Sequence, residues 1–525
     1  MTVQYLITVI YLGLENLVIS AAFNGWTFLT PILTDEGYFS TLCDEHGKEM
    51  GVLGFDAHDA IRLPSTLLAN SSNSSSDLPS SKTASYPTCI SQTEIFNLIF
   101  TLTTVVQKLA AFTGGIIFQR FGTWVTRILA CFICAGGQLF LGFSSVNRPE
   151  LLFPGMLCLS ASGSLFYMVN MQAGNLFPKA RSTIISTLVG LFLSGSVVFW
   201  VVSFVHDMGV PLSTIFYFLA SLAVVSLFAT FFFTSRQYFP HPIPQNFRYG
   251  VVDFKKHKKA NENPEALKAS NNANGGSLAV EEKPASFFTL IRETFFWTNA
   301  MQLIIMNLRN EFFQGTFDTW AESVVDGEAE LDKLTNVFGI ILLCGGIAAP
   351  LTGIVVDALK QNFQKAMKNE KLVELKALCV SSALLTAISV FFSAMQCIPN
   401  LTASYVSLPL YVLFRVSIYS NCSIAIASYF PSKYFGTLYG ATLILAGVVS
   451  LLRYPLLSLV LRTFNGSFIE INAILLATCF LSIVHPIHLW RLYKHKAGKE
   501  TIDSDLSSVC KTVRGSVNAS FENDA

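Results

Sequence analysis

Charged side chains are scarce in this chain of 525 residues. Only 13% of the residues are Asp, Glu, Lys or Arg, whereas about 25% is usual for a soluble protein. The 35 basic and 34 acidic residues nearly cancel, so there is no basic surplus of the kind that binds nucleic acid. With 52% apolar residues and a mean hydropathy of +0.50, the chain has too few charges to cover several soluble domains. The composition therefore predicts a polytopic membrane protein.

Signals for metal or cofactor chemistry are also missing from the sequence. No Cys/His spacing resembles a zinc site, and no segment resembles an ATP site. The eight histidines are scattered in loops and tails, apart from His485 and His488 near the last apolar stretch. We therefore expect no metal and no cofactor, and we do not expect an enzyme.

Apolar stretches long enough to cross a bilayer recur along the chain. A transmembrane helix needs about 20 predominantly apolar residues, and the sequence contains about twelve such stretches, which we number as spans 1 to 12. The first group lies near residues 6–33, 94–118, 124–145, 151–175, 183–206 and 211–234. The second group lies near residues 295–316, 334–358, 375–398, 403–430, 436–462 and 468–490. The predicted fold class is all-α.

Two polar insertions divide the chain. The first is rich in serine and asparagine, and the second is rich in proline, lysine and asparagine and separates six spans from six. Two consecutive six-helix units are typical of parallel repeats. We predict an N-terminal half at 1–234 with an extracellular insertion at 35–92, a cytoplasmic central loop at 235–286, a C-terminal half at 287–492 and a cytoplasmic tail at 493–525.

The placement of lysine and arginine predicts the orientation in the membrane. Basic residues gather in the central loop, at 360–371 and at 491–496, whereas the alternate loops contain few of them. Both termini and the central loop are therefore predicted to be cytoplasmic. Four N-glycosylation motifs fall in loops predicted to face outside: Asn70, Asn73, Asn400 and Asn465.

Two of the 11 cysteines, Cys43 and Cys89, fall in the outside insertion. An oxidising exterior favours a disulfide between them, and two unpaired thiols are the alternative. The cysteines within the spans are expected to pack as small apolar residues.

Ionisable side chains inside the spans mark the candidate site, because each costs at least about 2.5 kcal/mol at the centre of a bilayer. They are Glu15, Lys108, Arg309, Glu311, Arg415 and Arg453. In a six-plus-six arrangement the first and fourth helices of each half line the central cavity, so spans 1, 4, 7 and 10 supply it. The candidate substrate-binding residues on these spans are Glu15, Asn170, Gln172, Gln302, Arg309, Arg415 and Asn421.

Arg309 and Glu311 are two residues apart, so they point to nearly opposite sides of one helix. If one of them faces the cavity, the other pairs between helices. The alternative for all of these charges is that they lock helices together as buried ion pairs. We favour that alternative for Lys108 and Arg453.

Short turns with glycine follow the second span of each half. The sequence Gly-Ile-Ile-Phe-Gln-Arg-Phe-Gly occupies 115–122, and Gly-Ile-Val-Val-Asp-Ala-Leu-Lys occupies 353–360. Glycine permits close approach of helices, and charged residues interact with helix ends. The predicted gating residues are Gly115, Arg120, Gly122 and Asp357.

These turns resemble the signature loop Gly-x-x-x-Asp-Arg-x-Gly of the major facilitator superfamily. The first copy has Gln119 where Asp is usual, and the second keeps Asp357 but lacks the following Arg. Within that superfamily the chain resembles solute carrier family 43 over nearly its whole length. The matching stretches are Leu-Glu-Asn at 14–16, Gly-Trp at 25–26, Tyr-Phe at 38–39 with Cys43, Asn-Leu-Phe at 175–177, Arg-Ser-Thr at 181–183, Arg415, Phe-Pro-Ser at 430–432 and Phe-Gly at 435–436.

The resemblance implies a facilitative, sodium-independent carrier that works by alternating access, with a small-molecule substrate held between the two halves. The family moves either purine nucleobases or large neutral amino acids. Residues 170–177, 181–185, 240–244 and 448–452 look closer to the nucleobase member, whereas residues 14–16 and Arg309 look closer to the amino-acid members.

A buried arginine suits an amino acid's carboxylate, and a neutral purine needs amide partners. We favour the nucleobase, with hydrogen-bonding roles for Asn170, Gln172 and Asn421 and with Glu15 and Arg415 shaping the cavity. Neutral amino acids are the alternative substrate. The expected location is the plasma membrane, with the lipid bilayer as surroundings and no obligatory protein partner. A membrane enzyme and a receptor or scaffold are the remaining alternatives.

Overall fold

The computed structural model describes residues 2–43, 90–240, 243, 247, 249–250, 287–325, 327–367 and 369–500. Within these residues the backbone is almost entirely helical, and an isolated bridge between Ser145 and Arg148 is the one β-type contact. The predicted all-α fold is therefore confirmed for the described part of the chain.

The helices follow the predicted order of spans. Those of the N-terminal half are Thr2–Glu15, Trp26–Asp35, Ile90–Phe143, Leu152–Asn170, Arg181–Leu193, Val197–Asp207 and Leu212–Phe233. Those of the C-terminal half are Phe287–Ile291, Thr294–Gly315, Phe317–Val324, Glu328–Leu343, Gly345–Gln364, Glu370–Met395, Leu401–Tyr429, Phe435–Ser450, Arg453–Arg462 and Ile469–Leu481. A last helical stretch at 484–500 extends span 12 into the predicted tail.

Nine helices in the described residues are long and apolar enough to cross a membrane, or ten if the bent pair Lys333–Leu343 and Gly345–Gln364 forms one span. One of the nine, Glu94–Phe143, is interrupted by non-helical backbone at Gly122 (φ 80°, ψ −172°), so it supplies two crossings. The helix Thr294–Gly315 has 22 residues but carries many polar side chains. If Glu94–Phe143 is counted as two crossings, the bent pair as one span and Thr294–Gly315 as another, each of the twelve predicted spans has a helix.

The first spans of the two halves are both broken. In span 1 the α-helix ends at Glu15, and a π-helical turn (Asn16–Ser20) and a 3₁₀ turn (Ala22–Gly25) precede Trp26–Asp35. In span 7 the helix ends at Gly315, and a shorter helix resumes at Phe317. Interrupted helices at corresponding positions of two repeats are a common mark of a binding site at mid-membrane.

The outer surface of the bundle is apolar and the interior contains polar groups. Phe132, Phe228 and Ile347 are each more than 60% exposed, as expected of side chains that face lipid. Arg127, Arg309 and other polar side chains are fully buried. This distribution is the reverse of a soluble protein's and is that of a helical membrane protein.

The two halves meet chiefly where span 2 packs against span 11 and span 5 against span 8, and span 5 also contacts span 10. A Cβ atom on Gly115 would overlap the carbonyl of Gly436, and one on Gly353 would overlap the carbonyl oxygen of Ser182. Backbone therefore lies directly on backbone at both contacts, which requires residues without a side chain.

The described beginning of the predicted central loop packs against the N-terminal half. Tyr249 stacks on Tyr5 with ring centroids 5.7 Å apart, and its hydroxyl lies 2.8 Å from Oγ1 of Thr8. Phe239 packs edge-on against Tyr249, and its backbone N–H donates to Oε1 of Gln172 at 3.3 Å. These residues are thus part of the folded N-terminal half, whereas residues 251–286 lie outside the described part of the chain.

Candidate functional site

Glu15, Arg127 and Asn170 form a buried polar network in the N-terminal half. Nη2 of Arg127 lies 2.6 Å from Oε1 of Glu15, and Nη1 donates to Oε2 at 2.8 Å, so the ion pair is bidentate. Nδ2 of Asn170 donates to Oε2 of Glu15 at 2.8 Å, and Oδ1 of Asn170 accepts from Nη1 of Arg127. The structure therefore brings together two predicted site residues, Glu15 and Asn170, through an arginine that was not among them.

The same network reaches neighbouring helices. Nε of Arg127 donates to Oγ1 of Thr230 at 3.0 Å, and Nδ2 of Asn170 donates to Oδ1 of Asn16 at 2.9 Å. The guanidinium lies over the ring of Phe166, 5.3 Å from its centroid. Spans 1, 3, 4 and 6 are therefore joined at one buried point.

Arg127 is the functional candidate that the sequence reasoning missed. It is not among the ionisable side chains predicted to lie inside the spans, but the structure buries it completely. A signal was present, because Arg127 lies inside the apolar stretch 124–145 that predicted span 3.

Gln302 and Asn421 form hydrogen bonds within the C-terminal half. Nε2 of Gln302 donates to the carbonyl of Ser382 and to Oγ1 of Thr386, both at 3.2 Å. Oδ1 of Asn421 accepts from Oγ of Ser381 at 2.8 Å, and Nδ2 donates to Oγ of Ser382 at 3.0 Å. Both side chains are buried and fasten spans 7 and 10 to span 9.

Arg309 also lies inside the C-terminal half. Its Nε donates to Oγ of Ser393 at 3.2 Å, and its guanidinium lies 5.0 Å from the centroid of the Phe392 ring. Nη1 and Nη2 are buried without a hydrogen-bond partner among the described residues. Glu311, on the other side of the helix, faces Nη1 of Arg453 at 3.6 Å. Of the two arrangements left open by the sequence, the structure has Glu311 pairing between helices.

Gln172 borders a small cavity between the halves. This cavity of about 10 Å³ has room for one water molecule. Nε2 of Gln172 and Nη1 of Arg181 are buried without a partner in the described structure. The lining residues are Met171, Gln172, Asn175, Arg181, Ile185, Ala427, Ser432 and Phe435. Two unsatisfied donors at such a cavity are suited to an internal water.

Arg415 is more exposed than the other six candidates for substrate binding. Glu15, Asn170, Gln172, Gln302, Arg309 and Asn421 are all buried. Arg415 is half-buried on span 10. It lies one turn from Tyr419, whose hydroxyl donates to Oδ1 of Asn307 on span 7 at 2.7 Å.

Two of the four predicted gating residues, Gly115 and Asp357, lie where the halves touch. Asp357 accepts hydrogen bonds from the backbone N–H groups of Ser182 (3.2 Å) and Thr183 (2.8 Å) and from Oγ1 of Thr183 (2.7 Å). A carboxylate of the C-terminal half therefore caps the first turn of span 5, where the helix dipole favours negative charge.

The first turn motif lies beside the central loop. Gly115 provides the backbone contact with Gly436, whereas Arg120 is exposed. Gly122 has a positive φ of 80°, which favours glycine. The N–H of the next residue, Thr123, donates to the carbonyl of Gln237 at 2.7 Å.

A further link between the halves passes through Arg181. Its Nη2 donates to the carbonyl of Ala427 in the C-terminal half at 2.7 Å, and its Nε donates to Oδ1 of Asn175 at 2.8 Å. Nδ2 of Asn175 in turn donates to the carbonyl of Phe239 at 2.7 Å. The contact between the halves is thus tied to the described part of the central loop.

The modification sites are only partly described. Asn400 and Asn465 are exposed at helix ends, and Oδ1 of Asn400 accepts from the N–H of Thr402. Asn70, Asn73 and Cys89 lie outside the described residues. Glycosylation of these four asparagines and the Cys43–Cys89 disulfide therefore stay predictions.

Comparison with known proteins places the chain in a family. Residues 17–453 match the Major Facilitator Superfamily. The chain is 28% identical over 486 residues to equilibrative nucleobase transporter 1 of Bos taurus, which covers 90% of this chain and 93% of that protein. It is 23% identical over 539 residues to large neutral amino acids transporter small subunit 3 of Homo sapiens, with 91% of each chain covered. The resemblance found in the sequence is confirmed.

A solved structure agrees on the fold. The proton:xylose symporter of the major facilitator superfamily, bound to 6-bromo-6-deoxy-D-glucose, superposes with a TM-score of 0.59. The match covers 94% of this chain and 96% of that chain at 10% sequence identity. Because residues 17–453 match the family, the chain belongs to the Major Facilitator Superfamily and is a multi-pass membrane transport protein rather than an enzyme.

Proposed function

We propose that this protein is a facilitative, sodium-independent transporter of purine nucleobases such as adenine, guanine and hypoxanthine. The observation that carries the proposal is the 28% identity to a nucleobase transporter over 90% of the chain. The broken first helices of the two halves support a substrate site between them at mid-membrane. The substrate reaches that site from one side at a time by alternating access.

In this proposal the candidate residues act at different distances from the substrate. Arg415 contacts it, since it retains an exposed surface on span 10. Glu15 and Asn170 shape the wall formed by the N-terminal half, and Gln302 and Asn421 shape the wall formed by the C-terminal half. Gln172 lies beside Arg181 at the contact between the halves.

The gating residues act at that contact. Gly115 and Asp357 hold one end of the interface closed, Gly122 forms the turn beside the central loop, and Arg120 lies exposed near it. Opening of this end separates Asp357 from the first turn of span 5.

Large neutral amino acids are the alternative substrates. A relative that transports them is 23% identical over 91% of the chain. Arg309 adds a specific observation, because its buried guanidinium has two nitrogens without a partner in the described structure. A carboxylate is the usual bidentate partner of such a group.

The proposed location is the plasma membrane, with both termini in the cytoplasm. The lysine and arginine distribution supports this orientation. The exposed positions of Asn400 and Asn465, in loops predicted to face outside, also support it.

Uptake competition tests the function. Cells that express the protein are given labelled adenine with an excess of unlabelled adenine, leucine or neither, in sodium and in choline medium. We expect uptake above that of mock cells, competition by adenine but not by leucine, and the same rate in both media. Labelled leucine uptake that adenine does not inhibit would establish the alternative instead.

A further inference from the structure

Two opposite charges inside the spans, Glu311 and Arg415, do not pair with each other. Glu311 lies on span 7 with 23% of its side chain exposed, and Arg415 is half-buried on span 10. No ion pair within 4.0 Å joins them in the described structure, where the nearest basic group to Glu311 is Nη1 of Arg453 at 3.6 Å. A charge left partly exposed inside a membrane protein is expected to face water or a ligand.

Two hydrogen bonds between spans 7 and 10 show where these residues lie along the membrane normal. The hydroxyl of Tyr419 donates to Oδ1 of Asn307 at 2.7 Å, and the hydroxyl of Tyr411 donates to Oε1 of Gln314 at 3.4 Å. Higher numbers on span 7 meet lower numbers on span 10, so the two helices run antiparallel.

Glu311 and Arg415 lie between these two contacts. Glu311 is one turn after Asn307 and just under a turn before Gln314, and Arg415 is one turn from both Tyr411 and Tyr419. Residues one turn apart share a helix face. Glu311 and Arg415 therefore lie at the same level along the membrane normal, on the faces by which spans 7 and 10 approach each other.

In the described structure Arg415 has no ion-pair partner, and Glu311 has one, Arg453. Nη1 of Arg453 lies 3.6 Å from Oε2 of Glu311, beyond hydrogen-bond distance, while Nη2 of the same guanidinium donates to the hydroxyl of Tyr454 at 3.0 Å. Among the described residues, Glu311 and Arg415 have no hydrogen bond to any side chain or backbone group. Both interact electrostatically with the hydroxyls of Tyr411 and Tyr419.

We propose that Glu311 and Arg415 together recognise the substrate, with the carboxylate accepting from its N–H groups and the guanidinium donating to its ring nitrogens or oxygens. This inference rests on the proposed function and names the specificity determinant of that site. An anion is repelled by Glu311 and a cation by Arg415. The pair therefore favours a molecule without net charge that presents donors to the carboxylate and acceptors to the guanidinium. A purine nucleobase meets this condition, as does a zwitterionic amino acid, and uptake competition between adenine and leucine separates the two.

Kinetic measurements on Glu311→Gln and Arg415→Gln test the pair. We expect the KM for adenine to rise about tenfold to a hundredfold in each, with Vmax per surface molecule changed less than threefold. Glu311→Asp, which keeps the charge, recovers most of the affinity. Glu322→Gln and Arg148→Gln alter exposed charges away from the contact between spans 7 and 10 and are the matched controls. Surface biotinylation measures the amount of each variant at the membrane.

A methylated purine separates recognition from a structural effect. 9-Methyladenine lacks one N–H donor, so the wild-type protein is expected to discriminate against it, and Glu311→Gln is expected to discriminate at least fivefold less. An unchanged KM for adenine in both glutamine variants would overturn the inference even though wild-type uptake is normal.

Cysteine labelling decides the inference without knowledge of the substrate. Glu311→Cys and Arg415→Cys are expected to react with a charged, membrane-impermeant thiol reagent, and Asn421→Cys, which is buried against span 9, is not. If wild-type cells take up neither adenine nor leucine, the proposed function fails. Reaction at positions 311 and 415 would still support the pair, and absence of reaction at both would refute it.

Discussion

The buried ion pair of the N-terminal half gives the sharpest prediction about stability. Glu15→Gln leaves the guanidinium of Arg127 without a counter-charge, and Arg127→Gln leaves the carboxylate of Glu15 without one. Both side chains of this pair are fully buried. Removing one partner of a buried ion pair costs about 3–5 kcal/mol, because the remaining charge stays out of water.

The double variant distinguishes a charge effect from simple loss of contacts. Glu15→Gln with Arg127→Gln leaves two neutral amides in place of the two charges. We therefore expect it to recover at least about 2 kcal/mol relative to the sum of the single variants, as an interaction energy in a double-mutant cycle.

Thermal unfolding of the purified protein in detergent is the assay. In a chain of this size 1 kcal/mol corresponds to about 1–2 °C in Tm, so each single variant should lower Tm by about 3–10 °C. The exposed Glu322→Gln serves as control and should leave Tm unchanged. If the effects of the two single variants simply add in the double variant, the charge-pair reasoning is wrong.

Three further predictions concern the contacts between the halves and the central loop. Asp357→Ala removes three hydrogen bonds from the start of span 5. In a protein that also carries Ser432→Cys, it should increase the rate of labelling by a thiol reagent added from the cytoplasm by about tenfold. Asp357→Asn should increase that rate less. Gly115→Val places a side chain against the backbone of span 11 and should abolish uptake at normal surface expression, whereas Gly136→Ala, with open space around it, should not. Tyr249→Ala removes aromatic contacts that fasten the central loop and should lower the free energy of unfolding by about 2–3 kcal/mol, measured by thermal shift; an unchanged Tm would show that this packing contributes nothing.

Hydropathy was sufficient to predict the number and order of the spans, because each membrane crossing imposes the same length and apolarity. It recovered even span 7, whose polar residues reduce its apolar character. The turn motifs predicted that Gly115 and Asp357 lie at close helix contacts, since few residue types tolerate such positions.

The sequence did not show which buried charges pair with each other. Helix periodicity indicates that Arg309 and Glu311 point apart, but it does not show which helix either side faces. Arg127 follows a turn motif closely in the sequence, and only the tertiary structure brings it to Glu15. The polar, proline-containing composition after residue 235 likewise gave no sign that Phe239 and Tyr249 pack against span 1.

Where Gly115 meets Gly436 and Gly353 meets Ser182, no layer of side chains separates the two main chains. A contact made by side chains yields gradually, since each can change rotamer, but a main chain inside a helix has no such freedom. If the protein works by alternating access as proposed, these contacts are expected to separate together rather than one side chain at a time. A methyl group added at Gly115 or Gly353 would overlap the opposing main chain and is expected to hold the two halves apart.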